Sequence, residues 1–379
     1  KKNWRLEFYV LILSRKKTTT HKIQTPMQRN KISFKGQNIF VGIDVHLRKW
    51  HVTCLTESNF KRSIEQPASP EALHSYLKRT FPDGSYCAAY ESGFTGFSTY
   101  HSLTKLGIKT IVVNAADVPA TQYEKTMKTD RVDSERIAVA LRAGQLRGIY
   151  IRKDENADDL SLVRLRKALK GEESASRTRI KLFLYTNGVT IPENLGQRWT
   201  AAYVDWLKSD LSLLSPTRVA LDALISHTEV LHMEYMRVAK MVRDLVRSEK
   251  YKTRADALMS IPGIGSTTAI TLLTEIGDVS RFRNERQFAS YLGLIPSSHN
   301  SGDKVIQSTI TFRGNKRIGA ALTEAAWKSV SSDASLSAYF LKCRGRMNPQ
   351  KAIVKVARKL SNIIFAIMKS GKNYEQNMS

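Results

Sequence analysis

The sequence predicts an α/β domain built on a mixed sheet, followed by a helical connector and a helical C-terminal domain. Three observations carry that expectation. Between residues 39 and 114, short β-branched runs alternate with capped helical segments. From about 151, long charged stretches carry apolar residues three and four apart, the spacing of helices and coiled coils. Beyond about 255, Gly and Pro divide the chain into shorter helical lengths.

Taken in order, Ile39 to Ile43 is an apolar strand ending at Asp44, and Trp50 to Thr56 is β-branched enough to be its hairpin partner. A third short strand covers Lys61 to Glu65. Ser69 then caps a helix whose first position is Pro70, running to about Lys78. The strand Ser85 to Tyr90 ends at Glu91, a helix runs to Leu106, and Lys109 to Asn114 is a buried strand. After a loop, Lys128-Thr129-Asp130-Arg131-Val132-Asp133 opens a helix that continues through Ser134 to Leu141.

The formal charge of the 379 residues is +26. A surface this basic attracts a polyanion, and nucleic acid is the expected partner. Residues 1–33 hold nine Lys or Arg and one Glu, so the remainder is basic in its own right. We expect residues 1–33 to be a basic extension outside the fold, disordered or non-native. Cys54, Cys87 and Cys343 are widely spaced with no CxxC pair, which argues for a reducing compartment and against structural zinc. No run approaches the 18 or so apolar residues that a membrane span requires. The expected location is the cytoplasm.

Three strands, helix, strand, helix, strand, helix is the order of an RNase H-like sheet, and the acids fall where its chemistry needs them. Asp44 ends the first strand and Glu91 the fourth, neighbours in such a sheet, while Asp130 and Asp133 share one face of the helix that follows the fifth. Converging carboxylates repel one another, and hard divalent cations relieve that repulsion. One or two Mg²⁺ are expected, with Mn²⁺ as a substitute. Two such ions about 3.5–4 Å apart serve phosphoryl transfer.

Gly42-Ile43-Asp44, Tyr90-Glu91-Ser92-Gly93 and Lys128 to Asp133 resemble the signatures of the DEDD transposases of insertion-sequence family 110. The resemblance implies a RuvC-like first domain over 34–150 with Asp44, Glu91, Asp130 and Asp133 as the metal-binding tetrad. It also implies DNA as substrate, a bridge RNA as guide in many members, and assembly into dimers or tetramers.

The connector, 151–254, carries a heptad seam of Leu221, Leu224, Thr228, Leu231, Tyr235, Val238, Val242 and Leu245. It suits either an intrachain hairpin with a helix near 160–186 or a coiled coil between protomers, and the resemblance favours the latter. Pro192 and Gly196 mark a break.

The C-terminal domain, 255–379, opens on Ile261-Pro262-Gly263-Ile264-Gly265, which resembles a helix-hairpin-helix element. Gly263 and Gly265 suit a phosphate at the next helix N-terminus, or else an ordinary tight connection. Phe282 to Leu292 reads as a helix and Ser297 to Asp303 as a polar loop. Gly293-Leu294-x-Pro296, Ser301-Gly302, Gly314-Asn315 and Ala325-Ala326 resemble the C-terminal transposase domain of the same family. There the serine of the Ser-Gly pair attacks DNA and holds it as a phosphoserine, which points to Ser301. Gly319 stands where the family commonly has arginine, and Arg317 is the substitute for a phosphate contact. Pro349 to Lys369 is a two-faced helix, with Lys351, Lys355 and Arg358 opposite its apolar stripe as backbone contacts for nucleic acid.

The expected activity is therefore DNA cleavage and rejoining by the tetrad and Ser301, guided by RNA. The alternatives are a protein-only DNA invertase of the same superfamily and a RuvC-like endonuclease that uses water.

Overall fold

The structure, a computed structural model, describes residues 33–121, 129–152, 154–195, 199–209, 211, 213–301, 304–310 and 314–375, and for 154–156, 296–301 and 304–310 it describes the backbone. Residues 1–32 of the basic extension 1–33, together with Lys128 and Gly302, lie outside the described residues. The chain divides into two compact units between Ile151 and Arg152.

The first unit contains β1 (Asn38–Val45), β2 (Lys49–Thr56), β3 (Lys61–Pro67), α1 (Pro70–Thr80), β4 (Ser85–Glu91), α2 (Ser98–Lys105), β5 (Lys109–Val113) and α3 (Asp130–Arg142). The sheet order is β3-β2-β1-β4-β5. Its first three strands are antiparallel, while β1–β4 and β4–β5 are parallel, the arrangement expected of an RNase H-like sheet. Ser69 accepts the Ala72 N–H at 3.1 Å and Pro70 occupies the first turn of α1, as the sequence predicts.

Period-two alternation sorts the strands into two faces. Ile39, Val41 and Ile43 of β1 join Leu73 and Leu77 of α1 and Leu103 of α2 in one core. On the opposite face Ala89 and Val113 pack with Ile137 of α3. Gly42 points to that second face. A Cβ there would lie 2.0 Å from the Ser134 carbonyl oxygen and 2.5 Å from the Ala138 nitrogen, so α3 rests on the backbone of β1. Thr53, the β2 partner of Gly42, shares a buried 2.9 Å hydrogen bond with the Ser134 hydroxyl. Cys54 sits fully buried in β2, where burial pushes its thiol up to about 12 and leaves it inert.

In the second unit α4 (Asp154–Thr186) and α6 (Ser215–Arg247) pack along their lengths, with α5 (Ala201–Lys208) between them in sequence. Arg166 meets Tyr235, Glu173 meets His232 and Ser176 meets Thr228, so the two helices run antiparallel. The seam is thus filled within the chain: Leu221, Thr228, Val238 and Val242 are buried. This corrects the preference for an intermolecular seam, since periodicity gives an apolar face but not the origin of its partner. Ile180, Leu184, Tyr203, Leu207, Leu221 and Ile225 form a separate core at one end of the hairpin.

The other end shares a core with the C-terminal helices: Val163, Val238, Val242 and Val246 pack with α7 (Lys252–Met259), α8 (Ser266–Ile276), α9 (Glu285–Leu292), α10 (Lys316–Ser332), α11 (Ala334–Arg344) and α12 (Pro349–Ser370). The connector and the C-terminal helices share this core within one compact unit, Arg152–Ser379. The apolar stripe of α12 is buried as expected, from Ile353 and Val356 to Ile364 and Ile367. The predicted polar loop is instead a β-hairpin, β6 (Pro296–Ser301) with β7 (Lys304–Ile310). The β-branched residues Val305, Ile306, Thr309 and Ile310 favour a strand that the polar composition of 297–303 obscured.

Gly42→Ala forces a methyl into the α3 backbone and should lower stability by about 1–3 kcal/mol through overpacking. The check is the denaturant midpoint; an unchanged midpoint would show that α3 can shift without cost.

Candidate functional site

Ile43 pairs with Tyr90 across the parallel β1–β4 ladder, so Asp44 and Glu91 follow one another at the same edge of neighbouring strands. Asp130 and Asp133 occupy the first turn of α3, where Thr129 accepts the Val132 N–H at 3.3 Å and the helix dipole favours negative charge. Because α3 lies against β1 at Gly42, its first turn reaches that same edge.

All four acids are brought together, but as two pairs. His46 Nε2 lies 3.1 Å from Asp44 Oδ2 and 3.6 Å from Asp130 Oδ2. Arg136 Nη2 lies 2.9 Å from Glu91 Oε1 and 3.0 Å from Asp133 Oδ1. Behind the first pair, His51 Nδ1 is 3.6 Å from Asp130 Oδ2, and its Nε2 is 3.5 Å from Glu65 Oε2. Burial raises the Asp44 carboxyl above its ordinary range; the pull of His46 opposes this, and repulsion from Asp130 and Asp133 adds to it. One ligand atom from each of Asp44, His46 and Asp130 lies within 4.8 Å of the others, a spacing that fits one divalent ion. Asp133 Oδ1 is buried, and the Arg136 guanidinium is the cation that faces it.

Sequence reasoning missed His46 and Arg136. The signals were present: His46 is two residues from Asp44 at a strand end, and Arg136 is three from Asp133 on a helix. Neither spacing by itself names a partner.

In the second unit the backbone of Ser301 pairs with Lys304, and that of His299 with Ile306. A Cβ on Gly314 would lie 2.1 Å from the Gly293 Cα, so the strands' flanking segments cross at two glycines. Gly293 itself has φ +74°, closing α9 in the left-handed region. The Asn315 N–H donates to the Tyr291 carbonyl at 2.7 Å. Asn315 also caps α10 by accepting the Arg317 N–H at 3.1 Å, and its Nδ2 donates to Glu275 Oε2 at 3.1 Å.

Glu275, 1 % exposed, is the hub of this region. Arg164 clasps it with Nε and Nη2, both at 2.8 Å, and the Tyr291 hydroxyl donates to its backbone carbonyl at 2.8 Å. Burial alone would raise this carboxyl, but Arg164, Asn315 and Arg152 hold it below the ordinary glutamate range. The sequence does not single out Glu275, which is the one charged residue of its helix.

The candidate nucleic-acid contacts fall in different settings. A Cβ at Gly263, φ +90°, would lie 2.6 Å from Ser329 Oγ and 2.8 Å from the Ala325 carbonyl, so packing against α10 accounts for this glycine. Gly265 precedes α8 with open space around it. A Cβ at Gly319 would meet the Leu292 carbonyl at 2.9 Å, so a side chain there would have to displace that backbone. Arg317, exposed on the first turn of α10, lines a groove of about 830 Å³ along α4 with Arg164 and Lys167. Lys351 and Lys355 are exposed, whereas Arg358 is half-buried and donates to the Glu285 carbonyl at 3.1 Å.

Comparisons with known proteins fall on these two regions. Residues 41–186 match the family model DEDD_Tnp_IS110, described as a transposase, and residues 255–341 match the transposase IS116/IS110/IS902 family. A putative transposase of Sinorhizobium fredii, y4qE, is 28% identical over 296 residues, 76% of this chain and 71% of the relative. A second from that organism, y4rJ, is 27% identical over 369 residues, 88% of this chain and 92% of the relative. The transposase for insertion sequence element IS1111A of Coxiella burnetii is 25% identical over 279 residues, 73% and 75% of the two chains.

Glu275→Gln removes the charge that Arg164 clasps and should cost about 1–3 kcal/mol of stability. Because the folded carboxyl titrates below its unfolded value, the gap from wild type is full above about pH 5 and closes as pH falls below about 4.3. Chemical denaturation of both proteins across that range checks it; a gap independent of pH would assign the loss to shape alone.

Proposed function

Because the chain belongs to the IS110-type DEDD transposases, with matches on both the acid-bearing and the C-terminal regions, we propose that it cuts and rejoins DNA through the tetrad and Ser301. The observation that carries this reading is the convergence of Asp44, Glu91, Asp130 and Asp133 at one sheet edge.

Asp44, His46 and Asp130 would hold a divalent ion, Mg²⁺ or Mn²⁺, which offsets negative charge developing on phosphate oxygens when bound. The Ser301 hydroxyl attacks a DNA phosphorus, its proton is lost, and the strand's deoxyribose oxygen departs with one proton gained. A phosphoserine link then holds the DNA. A deoxyribose hydroxyl of another strand attacks that link in turn and frees the serine, so bond energy is conserved without ATP. The clamp of Gly293, Gly314, Asn315 and Glu275 fixes the base from which the Ser301 strand projects.

Arg317, Lys351 and Lys355 serve as phosphate contacts in this reading, and Gly265 leaves the start of α8 open to one. The charge of +26 is ample for DNA together with a bridge RNA. Val230, Met233, Met236 and Met241 are exposed on α6, which supports assembly of more than one copy. Among the described residues no helix is long and apolar enough to cross a membrane.

The test is a denaturing gel with labelled element-end DNA, Mg²⁺ and RNA transcribed from the element's flank. Wild type should form a covalent protein–DNA adduct that falls about 10³-fold or more in Ser301→Ala and in Asp44→Ala. Cleavage without an adduct that persists in Ser301→Ala would replace the serine by water. An adduct of equal yield without RNA would remove the guide.

A further inference from the structure

The two carboxylate pairs of the acid cluster differ in what neutralises them. Asp44 and Asp130 face His46, a neutral ligand when deprotonated, and their ligand atoms with its own lie close enough to share an ion. Glu91 and Asp133 face Arg136, which brings a guanidinium cation in place of a neutral ring. One nitrogen, Nη2, bridges the two carboxylates at 2.9 and 3.0 Å, the position that a bridging ion between β4 and α3 would take.

Arg136 is well placed to stay there. Its side chain is 15% exposed and that of Asp133 is 13% exposed. Its Nε is buried without a hydrogen-bond partner, so the carboxylates rather than a cradle of acceptors hold the guanidinium. A Mg²⁺ ion at this place needs oxygen ligands at about 2.0–2.1 Å, and would stand against a fixed like charge at contact distance. Ion and guanidinium therefore exclude one another.

We propose that Arg136 holds the second cation position of this centre: one divalent ion binds at Asp44, His46 and Asp130, and the guanidinium supplies the charge at Glu91 and Asp133. The proposal rests on the metal-binding reading above. It makes the cluster a one-ion site with a built-in cation. The nitrogen donor also shifts metal preference away from Mg²⁺, which favours an all-oxygen set.

Calorimetric titration of the full chain with Mn²⁺, with free Mn²⁺ counted by electron paramagnetic resonance, tests this without reference to activity. Wild type and Arg136→Lys should take up about one ion per chain, and Arg136→Gln about two. Arg136→Ala repeats the second measurement should the glutamine side chain itself cover the site, and circular dichroism reports whether each variant folds. Two ions in wild type, or one in both folded uncharged variants, overturns the proposal. No ion in wild type, unchanged by Asp44→Asn, would sink the metal reading itself and the proposal with it.

Discussion

The close approach of α3 to β1 at Gly42 is the constraint on which the acid cluster depends. Two of its acids are fixed by strand ends and two by a helix that has no covalent reason to be near them. The absent Cβ lets the helix backbone settle onto the strand, and the Thr53–Ser134 hydrogen bond sets where along the sheet it settles. Once that depth is fixed, Asp133 is carried into a buried place while Asp130 remains exposed beside His46 and His51. The different environments of two acids one turn apart follow from how closely a single helix rests on the sheet.

The second unit solves a similar problem by other means. A two-stranded hairpin has little stability of its own, so its aim depends on its base. Here the base is a crossing of two glycine backbones, reinforced by the Asn315 cap and by a buried carboxylate with donors from α4 and Asn315. Glu275 links a side chain of the long helix α4 to the cap of α10. Both units thus use missing side chains to bring backbones together and polar contacts to fix the register of the approach.

Much of the fold was legible because its signals are local. Pro70 after Ser69, the β-branched runs around Val41, Val52 and Val112, and the stripe from Ile353 to Ile367 each declare an element within a few residues. The tetrad was legible for the same reason: three of its members mark the ends of elements. What escaped depends on contacts between distant segments. Gly42 and Gly314 stand in motifs, yet nothing local says which backbone their missing side chains admit, and Glu275 is one acid until Arg164 arrives. Arg136 and His46 were missed because a spacing of three or two residues permits a shared face without naming what shares it. The β6–β7 hairpin escaped because its first strand is polar and its register is held from outside.

The helical hairpin has a consequence for how this chain can change length. Two helices of 33 residues each, rising about 1.5 Å per residue, give an arm of about 50 Å. Along it the hydroxyls of Ser176 and Thr228 meet at 2.6 Å, and the buried Glu173 is met by Lys170, Arg177 and His232. Sliding one helix by a turn would strand these polar groups in an apolar seam. Insertions or deletions in one helix are therefore disfavoured unless matched in the other, and descendants of this chain should lengthen or shorten the arm by paired segments.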